Sequence, residues 1–146
     1  MFRQPCARGT ISAMLARTAL SFLLVCGLAF CARTLDIYFV DVEGGQATLI
    51  VTPQGESLLV DAGFPTADKR DAQRIAAAAK KAGLSKIDYL VVTHHHLDHV
   101  GGVEPLTELI PVGTFVDHGP NTEQGTGAEK LNQSYGRALA RVSIWW

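Results

Sequence analysis

The feature that most constrains the fold is a histidine-rich segment that directly follows a largely apolar stretch. Residues 93–102 read Thr-His-His-His-Leu-Asp-His-Val-Gly-Gly, and four of the five histidines of the 146-residue chain lie in this segment. The preceding residues, 87–92, have the composition of a buried strand. Imidazole and carboxylate groups are ligands that zinc prefers. The segment therefore predicts a metal site in a loop at the end of a strand.

The first 32 residues differ in composition from the rest of the chain. They contain three arginines and no acidic residue, and an almost wholly apolar run at 19–30 leads to small residues near 29–32. This layout is typical of a secretory signal peptide, and the run is shorter than the roughly 20 residues that span a membrane. We expect a cleaved signal at 1–32, a domain at 33–146 and a secreted or periplasmic protein. A retained anchor or a buried N-terminal helix is the alternative.

Charge and cysteine content restrict what the domain at 33–146 can do. All three cysteines lie at or before residue 31, so no internal disulfide can stabilise the domain. Ten Lys and Arg residues stand against 14 Asp and Glu residues, a formal charge of −4. No basic patch for nucleic acid or an anionic membrane is expected. The expected partner is a small-molecule substrate, with no nucleic acid and no stable membrane span after cleavage, and the oligomeric state is unknown.

From residue 35 onward the pattern of apolar residues predicts an α/β (α+β) domain. Three segments rich in β-branched and aromatic residues, separated by turns, predict an antiparallel meander. An Ala-rich segment with helical spacing follows, with Thr66 as its expected cap and Gly83 as its stop. Strands are expected at 35–42, 47–52, 57–60, 87–92 and 112–117, and helices at 67–82, 103–110 and 128–140.

The spacing His94-x-His96-x-Asp98-His99 indicates how the loop could bind metal. In an extended loop alternate side chains point the same way, so His94, His96 and Asp98 converge and His99 points towards a second position. One loop could then give two ligands to each of two neighbouring metals, which suits hydrolysis. A histidine-rich surface loop is one alternative. A structural zinc site is another, but such sites are usually rich in cysteine.

The pattern Thr-His-x-His-x-Asp-His-x-Gly-Gly at 93–102 resembles the signature loop of the metallo-β-lactamase superfamily, and its glycines allow a tight turn before the next helix. Upstream, 39–42, 47–51 and 59–63 resemble the opening strands of the branch that includes the hydrolase domain of the competence protein ComEC. The resemblance covers about residues 35–120. It implies a metallo-β-lactamase αββα sandwich, of which this chain holds only the N-terminal half and leaves an apolar sheet face without cover.

By this resemblance His94 and His96 bind a first zinc ion, and Asp98 and His99 bind a second. Asp98 also orients the attacking water, which makes it the expected catalytic residue. Asp61 is expected to lie beneath the metals and to hold the ligands in orientation. The alternative for Asp61 is an ordinary turn aspartate. Histidine at the second ligand position favours the zinc hydrolases over the di-iron branch of the superfamily.

The sequence departs from the family pattern after the histidine loop. Family members supply a further His, a bridging Asp and a last His, whereas here the only later histidine is His118. It follows the loop too soon to be the third ligand, so we interpret it as structural in preference to a residue at the site mouth. His95 is at a variable position and is expected to face solvent. With two ligands per metal, one fewer than a catalytic zinc usually has, a truncated product or gene fragment is expected.

Three functional hypotheses remain open from the sequence. The first is an exported zinc-dependent hydrolase that activates water at a dinuclear site. The second is a ComEC-like phosphodiesterase or nuclease, against which the absence of a basic surface counts. The third is an inactive, merely metal-binding fragment. The loop at 121–127 is a candidate part of the pocket, but neither fold nor motif specifies the substrate.

Overall fold

The structure is a computed structural model that describes residues 34–142, so the expected signal peptide at 1–32 lies outside the described residues. In this part of the chain no helix is both long and apolar enough to cross a membrane. The described residues form five strands and four helices, in the order β1 Asp36–Phe39, β2 Thr48–Val51, β3 Ser57–Val60, α1 Arg70–Lys81, β4 Ile87–Val91, α2 Leu97–Val100, α3 Val103–Thr107, β5 Val112–Val116 and α4 Thr126–Leu139.

The five strands form one mixed sheet in the order β1-β2-β3-β4-β5. The first three pair antiparallel, which confirms the predicted meander. The chain then crosses over through α1, and β4 and β5 each pair parallel to the preceding strand. The α/β class is confirmed. Because β3, β4 and β5 run parallel, the loops that follow them meet at one edge of the sheet, where α/β proteins place their ligands.

Helix α1 begins later than the sequence pattern predicts. Its first residue is Arg70, and the preceding Lys69 has a left-handed backbone with φ 56°. The Thr66 hydroxyl oxygen does accept a hydrogen bond from the amide of Arg70, at 2.8 Å. However, Thr66 lies in a separate turn before the helix, in which its carbonyl accepts from the amide of Lys69. The expected stop is correct, since Gly83 has φ 78° and ends the helix.

The two faces of the sheet differ in their cover. One row of directly paired residues faces the helices, and its three central leucines, Leu49, Leu59 and Leu90, are 0% exposed. Ile75 of α1 and Leu106 of α3 join the same core. On the opposite face large apolar side chains remain in contact with solvent, as expected for half of a four-layer sandwich: Ile37, Phe39, Tyr89 and Val116.

Candidate active site

Two segments that follow neighbouring parallel strands form the candidate site. Asp61 comes directly after β3, and its amide donates to the carbonyl of Val91 at the end of β4 (2.9 Å). The histidine loop at 93–102 begins two residues after β4 and returns to the same place. There the amide of Ala62 donates to the carbonyl of His99 at 2.7 Å. The sheet therefore fixes the backbone on both sides of the site.

Gly102 makes this close approach possible. Its amide donates to the carbonyl of Gly63 at 2.9 Å, and a Cβ atom at Gly102 would lie 2.0 Å from the carbonyl oxygen of Ala62. No side chain fits at that distance without a shift of the backbone. The glycine expected from the turn is thus also required by the packing of the loop against the end of β3.

Asp61 is fully buried (0% exposed) and has φ 59°, a left-handed backbone that residues other than glycine rarely adopt. Its carboxylate accepts from the amide of Thr93 (2.8 Å) and from the Thr93 hydroxyl (2.7 Å), and it lies 2.8 Å from Nδ1 of His99. Because an ionised carboxylate only accepts, Nδ1 of His99 carries the ring proton. This contact leaves the lone pair of His99 Nε2 free, which is what the role predicted for Asp61 requires.

The histidine loop is extended only as far as His96, with φ −89° and ψ 153°. The next residues form the helical turn α2, because the carbonyl of His96 accepts the amide of His99 at 3.0 Å. The expectation that His99 points towards a separate second position, apart from His94, was therefore wrong. The two rings are in contact, with centroids 3.9 Å apart. Oδ2 of Asp98 lies 3.5 Å from Nε2 of His99.

The hydrogen bonds around His94 and His96 assign the protons on their rings. The one hydroxyl proton of Thr93 is donated to Asp61, so the Thr93 oxygen accepts from Nδ1 of His94, 3.1 Å away. Nε2 of His96 lies 3.0 Å from a carboxylate oxygen of Glu123 and carries the proton there. The two remaining nitrogens, His94 Nε2 and His96 Nδ1, both present lone pairs at a separation of 3.0 Å. Two acceptors at this distance repel each other unless a cation, either a proton or a metal ion, lies between them.

Zinc suits this pair of nitrogens. Two imidazole nitrogens bound to one tetrahedral zinc at about 2.0–2.1 Å are roughly 3.3 Å apart, close to the spacing observed. Asp98 and His99 form a second pair of donors beside the first. Within residues 34–142, however, no three or more His, Cys, Asp or Glu side chains are placed so that they could hold one ion. The described part of the chain thus offers donors in pairs, and further ligands would have to complete each coordination sphere.

His95 is buried, with 6% exposure, and the expectation that it faces solvent was wrong. Because the backbone is extended here, the His95 side chain lies opposite to those of its two neighbours. Its ring packs edge-on against Tyr135 and His118, with centroids 5.4 and 5.3 Å away. Burial, together with nearby His118, lowers the pKa of His95. His118 itself lies beside His95, which agrees with a structural interpretation.

The chain also matches known proteins. The family model described as the metallo-beta-lactamase superfamily matches residues 40–144. The chain belongs to the metallo-β-lactamase superfamily. Members of this superfamily are generally metal-dependent, typically on zinc. The family membership predicted from the histidine loop is confirmed, and the ComEC-like branch stays a prediction.

Curated relatives within the superfamily include hydroxyacylglutathione hydrolases. Those of Brucella ovis and Brucella abortus (strain 2308) are each 44% identical over 59 residues, which is 40% of this chain and 21% of the relative. The match thus spans about a fifth of the length of these relatives. Solved structures that are similar include SMB-1 bound to 2-mercaptoethanesulfonate (28% identity, TM-score 0.44, 56% of this chain and 30% of that one) and the subclass B3 enzyme MEM-A1 from a soil metagenome library (31%, 0.45, 56% and 30%).

Glu123 contacts the histidine loop, although the sequence analysis did not identify it as a candidate residue. It lies in the polar loop after β5, and its contact with His96 spans 27 positions of the chain. A lone glutamate in such a loop carries no spacing that indicates a function. The only signal was the position of 121–127 after a parallel strand, which made the loop a candidate part of the pocket.

Proposed function

We propose that this chain provides the histidine-loop half of a zinc-dependent hydrolytic site. The observation that carries the proposal is the close approach of His94 Nε2 and His96 Nδ1, 3.0 Å apart, with the outer nitrogen of each ring in contact with another hydrogen-bonding group. If those outer nitrogens carry the ring protons, the two inner nitrogens are acceptors that a bound cation would stabilise. Asp98 and His99, as the second pair, extend the proposal to a dinuclear site.

Each residue of the site then has a defined task. His94 and His96 hold the first ion, while Asp98 and His99 hold the second. When bound, zinc makes a water acidic enough to attack near neutral pH and stabilises the negative charge that develops. The Asp98 carboxylate, 35% exposed, is accessible to accept a hydrogen bond from that water and so orient it. Asp61 keeps the proton of His99 on Nδ1, away from the site.

We further propose that the protein is exported and acts on a small molecule. The proposal of export rests on the arginine-containing and apolar composition of residues 1–32. The proposal of a small-molecule substrate rests on the net negative charge of the domain. Because curated relatives are hydroxyacylglutathione hydrolases, an acylglutathione thioester is the first substrate to test, followed by a β-lactam and a phosphodiester.

Zinc binding by the full chain tests the metal-binding part of the proposal. In competition with a chromophoric chelator, we expect about two zinc ions to bind, one at each pair of donors, in line with a two-metal site. His96→Ala should weaken binding by more than the roughly 10- to 100-fold that the loss of an outer hydrogen-bond partner costs. His118→Ala is the matched control and should leave binding unchanged. Absence of zinc binding by the wild-type chain would contradict the proposal.

Hydrolysis of the three substrates tests the enzymatic part. With zinc present we expect turnover of the thioester or another member of the panel, and Asp98→Ala should abolish it. Retained activity in that variant would refute the role of Asp98. Tight zinc binding with no hydrolysis would show that the chain is a metal-binding fragment, and hydrolysis of the phosphodiester alone would favour the ComEC-like alternative.

A further inference from the structure

Glu123 contacts the one ring nitrogen of His96 that faces away from the candidate metal site. Its Oε1 lies 3.0 Å from Nε2 of His96, while Nδ1 of the same ring faces Nε2 of His94. We propose that Glu123 is a positioning residue: it holds the ring of His96 in place and keeps its proton on Nε2, so that Nδ1 is available to a metal ion. The inference deepens the proposed function and rests on it for its biological meaning.

The backbone at Glu123 is held in place by the fold. The amide of Glu123 donates to the side-chain oxygen of Asn121 at 3.0 Å. The side-chain amide of Asn121 in turn donates to Asn132 on α4 at 3.1 Å. Helix α4 packs into the core through Leu131. The contact with His96 is therefore supported by a chain of hydrogen bonds that begins on a packed helix, although Glu123 itself is 53% exposed.

A neutral imidazole carries one proton, on either of its two nitrogens. A carboxylate at Nε2 favours the form with the proton there, because only that form can donate to it. Metal-binding histidines generally donate their other N–H to a carboxylate, a backbone carbonyl or water, and such partners raise the basicity of the ligand. The His96 side chain is 59% exposed. Without Glu123 its ring would therefore be free to rotate, and a proton on Nδ1 would block the lone pair that faces His94.

The ring nitrogens of His96 can be observed by ¹⁵N NMR in the metal-free, full-length protein at about pH 8.5, where an ordinary histidine is neutral. We expect wild-type His96 to carry its proton on Nε2, and the form protonated on Nδ1 to increase in Glu123→Ala. Glu123→Gln keeps an oxygen acceptor and should restore the wild-type form. Glu129→Ala removes the same charge from an exposed position on α4 and should change nothing. A wild-type spectrum in Glu123→Ala would overturn the proposal.

Zinc affinity gives a second readout. We expect Glu123→Ala to weaken zinc binding about 10- to 100-fold, Glu123→Gln to weaken it less, and Glu129→Ala to leave it unchanged. If His96→Ala weakens binding and Glu123→Ala does not, the positioning role is wrong while the proposed function stands. Loss of one bound ion in Glu123→Ala, with His96 unchanged by NMR, would show that Glu123 is a direct ligand and would also overturn it. If even the wild type binds no zinc, the proposed function fails. The NMR result alone then shows whether Glu123 keeps the proton of His96 on Nε2.

Discussion

Two carboxylates contact different residues of the histidine loop, Asp61 on what we call its buried side and Glu123 on its exposed side, and their surroundings differ sharply. Asp61 is fully buried and interacts with three groups of Thr93 and His99. Glu123 is 53% exposed, and its side chain makes one contact, with His96. Both hold a histidine by the nitrogen that faces away from the site. Removal of a buried acceptor leaves donors without partners, whereas water replaces an exposed one, so the two sides of the loop should differ in stability although their chemistry is similar.

The largest expected effect is that of Asp61→Ala, which tests the buried side. It leaves the amide and hydroxyl of Thr93 and Nδ1 of His99 without their acceptor. A buried unpaired group costs about 1–3 kcal/mol, and the exposed Thr93 recovers part of this cost from water. We expect the free energy of unfolding to fall by about 3 kcal/mol in urea denaturation of the metal-free protein. Asp36→Ala, at an exposed strand end, is the control and should stay within about 0.5 kcal/mol. A loss below about 1 kcal/mol for Asp61→Ala would remove the contrast between the two sides.

Gly102→Ala tests the same buried side through the backbone and leaves every hydrogen-bonding side chain in place. The added methyl group would lie 2.0 Å from the carbonyl oxygen of Ala62, so the loop must move away from β3. Overpacking of this kind costs about 1–3 kcal/mol, and we expect a loss near 2 kcal/mol. Gly136→Ala is the matched control, because it lies in α4, where an added Cβ has no neighbour within 4 Å. The control should gain about 0.5–1 kcal/mol from helix propensity, and an equal response of both variants would contradict the close approach.

The buried side is also the side that the sequence predicted. Strands of β-branched and aromatic residues, a parallel crossover and a glycine pair place the loop and Asp61 at one edge of the sheet, and these signals are local in the sequence. What the sequence could not provide was the path of the loop itself. The backbone is extended as far as His96 and then forms a helical turn at 97–100, in which the carbonyl of His96 accepts hydrogen bonds from the amides of His99 and Val100.

Contacts between distant segments account for the rest of what the sequence missed. The burial of His95 depends on Tyr135, 40 positions later, and the position of Glu123 depends on hydrogen bonds to α4. Neither contact produces a spacing or a periodic pattern. His95 is expected to face solvent because it occupies a variable position between two expected ligands, but the extended backbone turns it to the opposite, covered side.

The smallest expected effect concerns the ion pair that holds α4, and with it the exposed side of the loop, against α3. Glu104 on α3 accepts from Arg137 at 2.5 and 2.8 Å and from Ser134 at 2.6 Å. The hydrogen bond from Arg137 is the main reason why the pKa of Glu104 falls from 4.5 to about 2, against the opposing effect of burial. Because the pKa is lower in the folded state, the stabilisation is fully present above about pH 4.5 and is lost as pH falls towards about 2.

Glu104→Gln should therefore cost about 1 kcal/mol at neutral pH, a small value because Arg137 is 57% exposed and its charge is screened by solvent. In urea denaturation followed from about pH 6 to about pH 3, the free energies of unfolding of wild type and Glu104→Gln should converge, because Glu104 becomes protonated and loses its ion pair with Arg137. Glu129→Gln on α4, the helix that carries Arg137, is the control and should follow the wild type throughout. A constant difference at every pH would assign the effect to packing. Convergence together with an altered ¹⁵N spectrum of His96 in Glu104→Gln would show that the contact between Glu123 and His96 depends on the packing of α4 against α3. The contacts of Asp61 are tied directly to the sheet and should not depend on that packing.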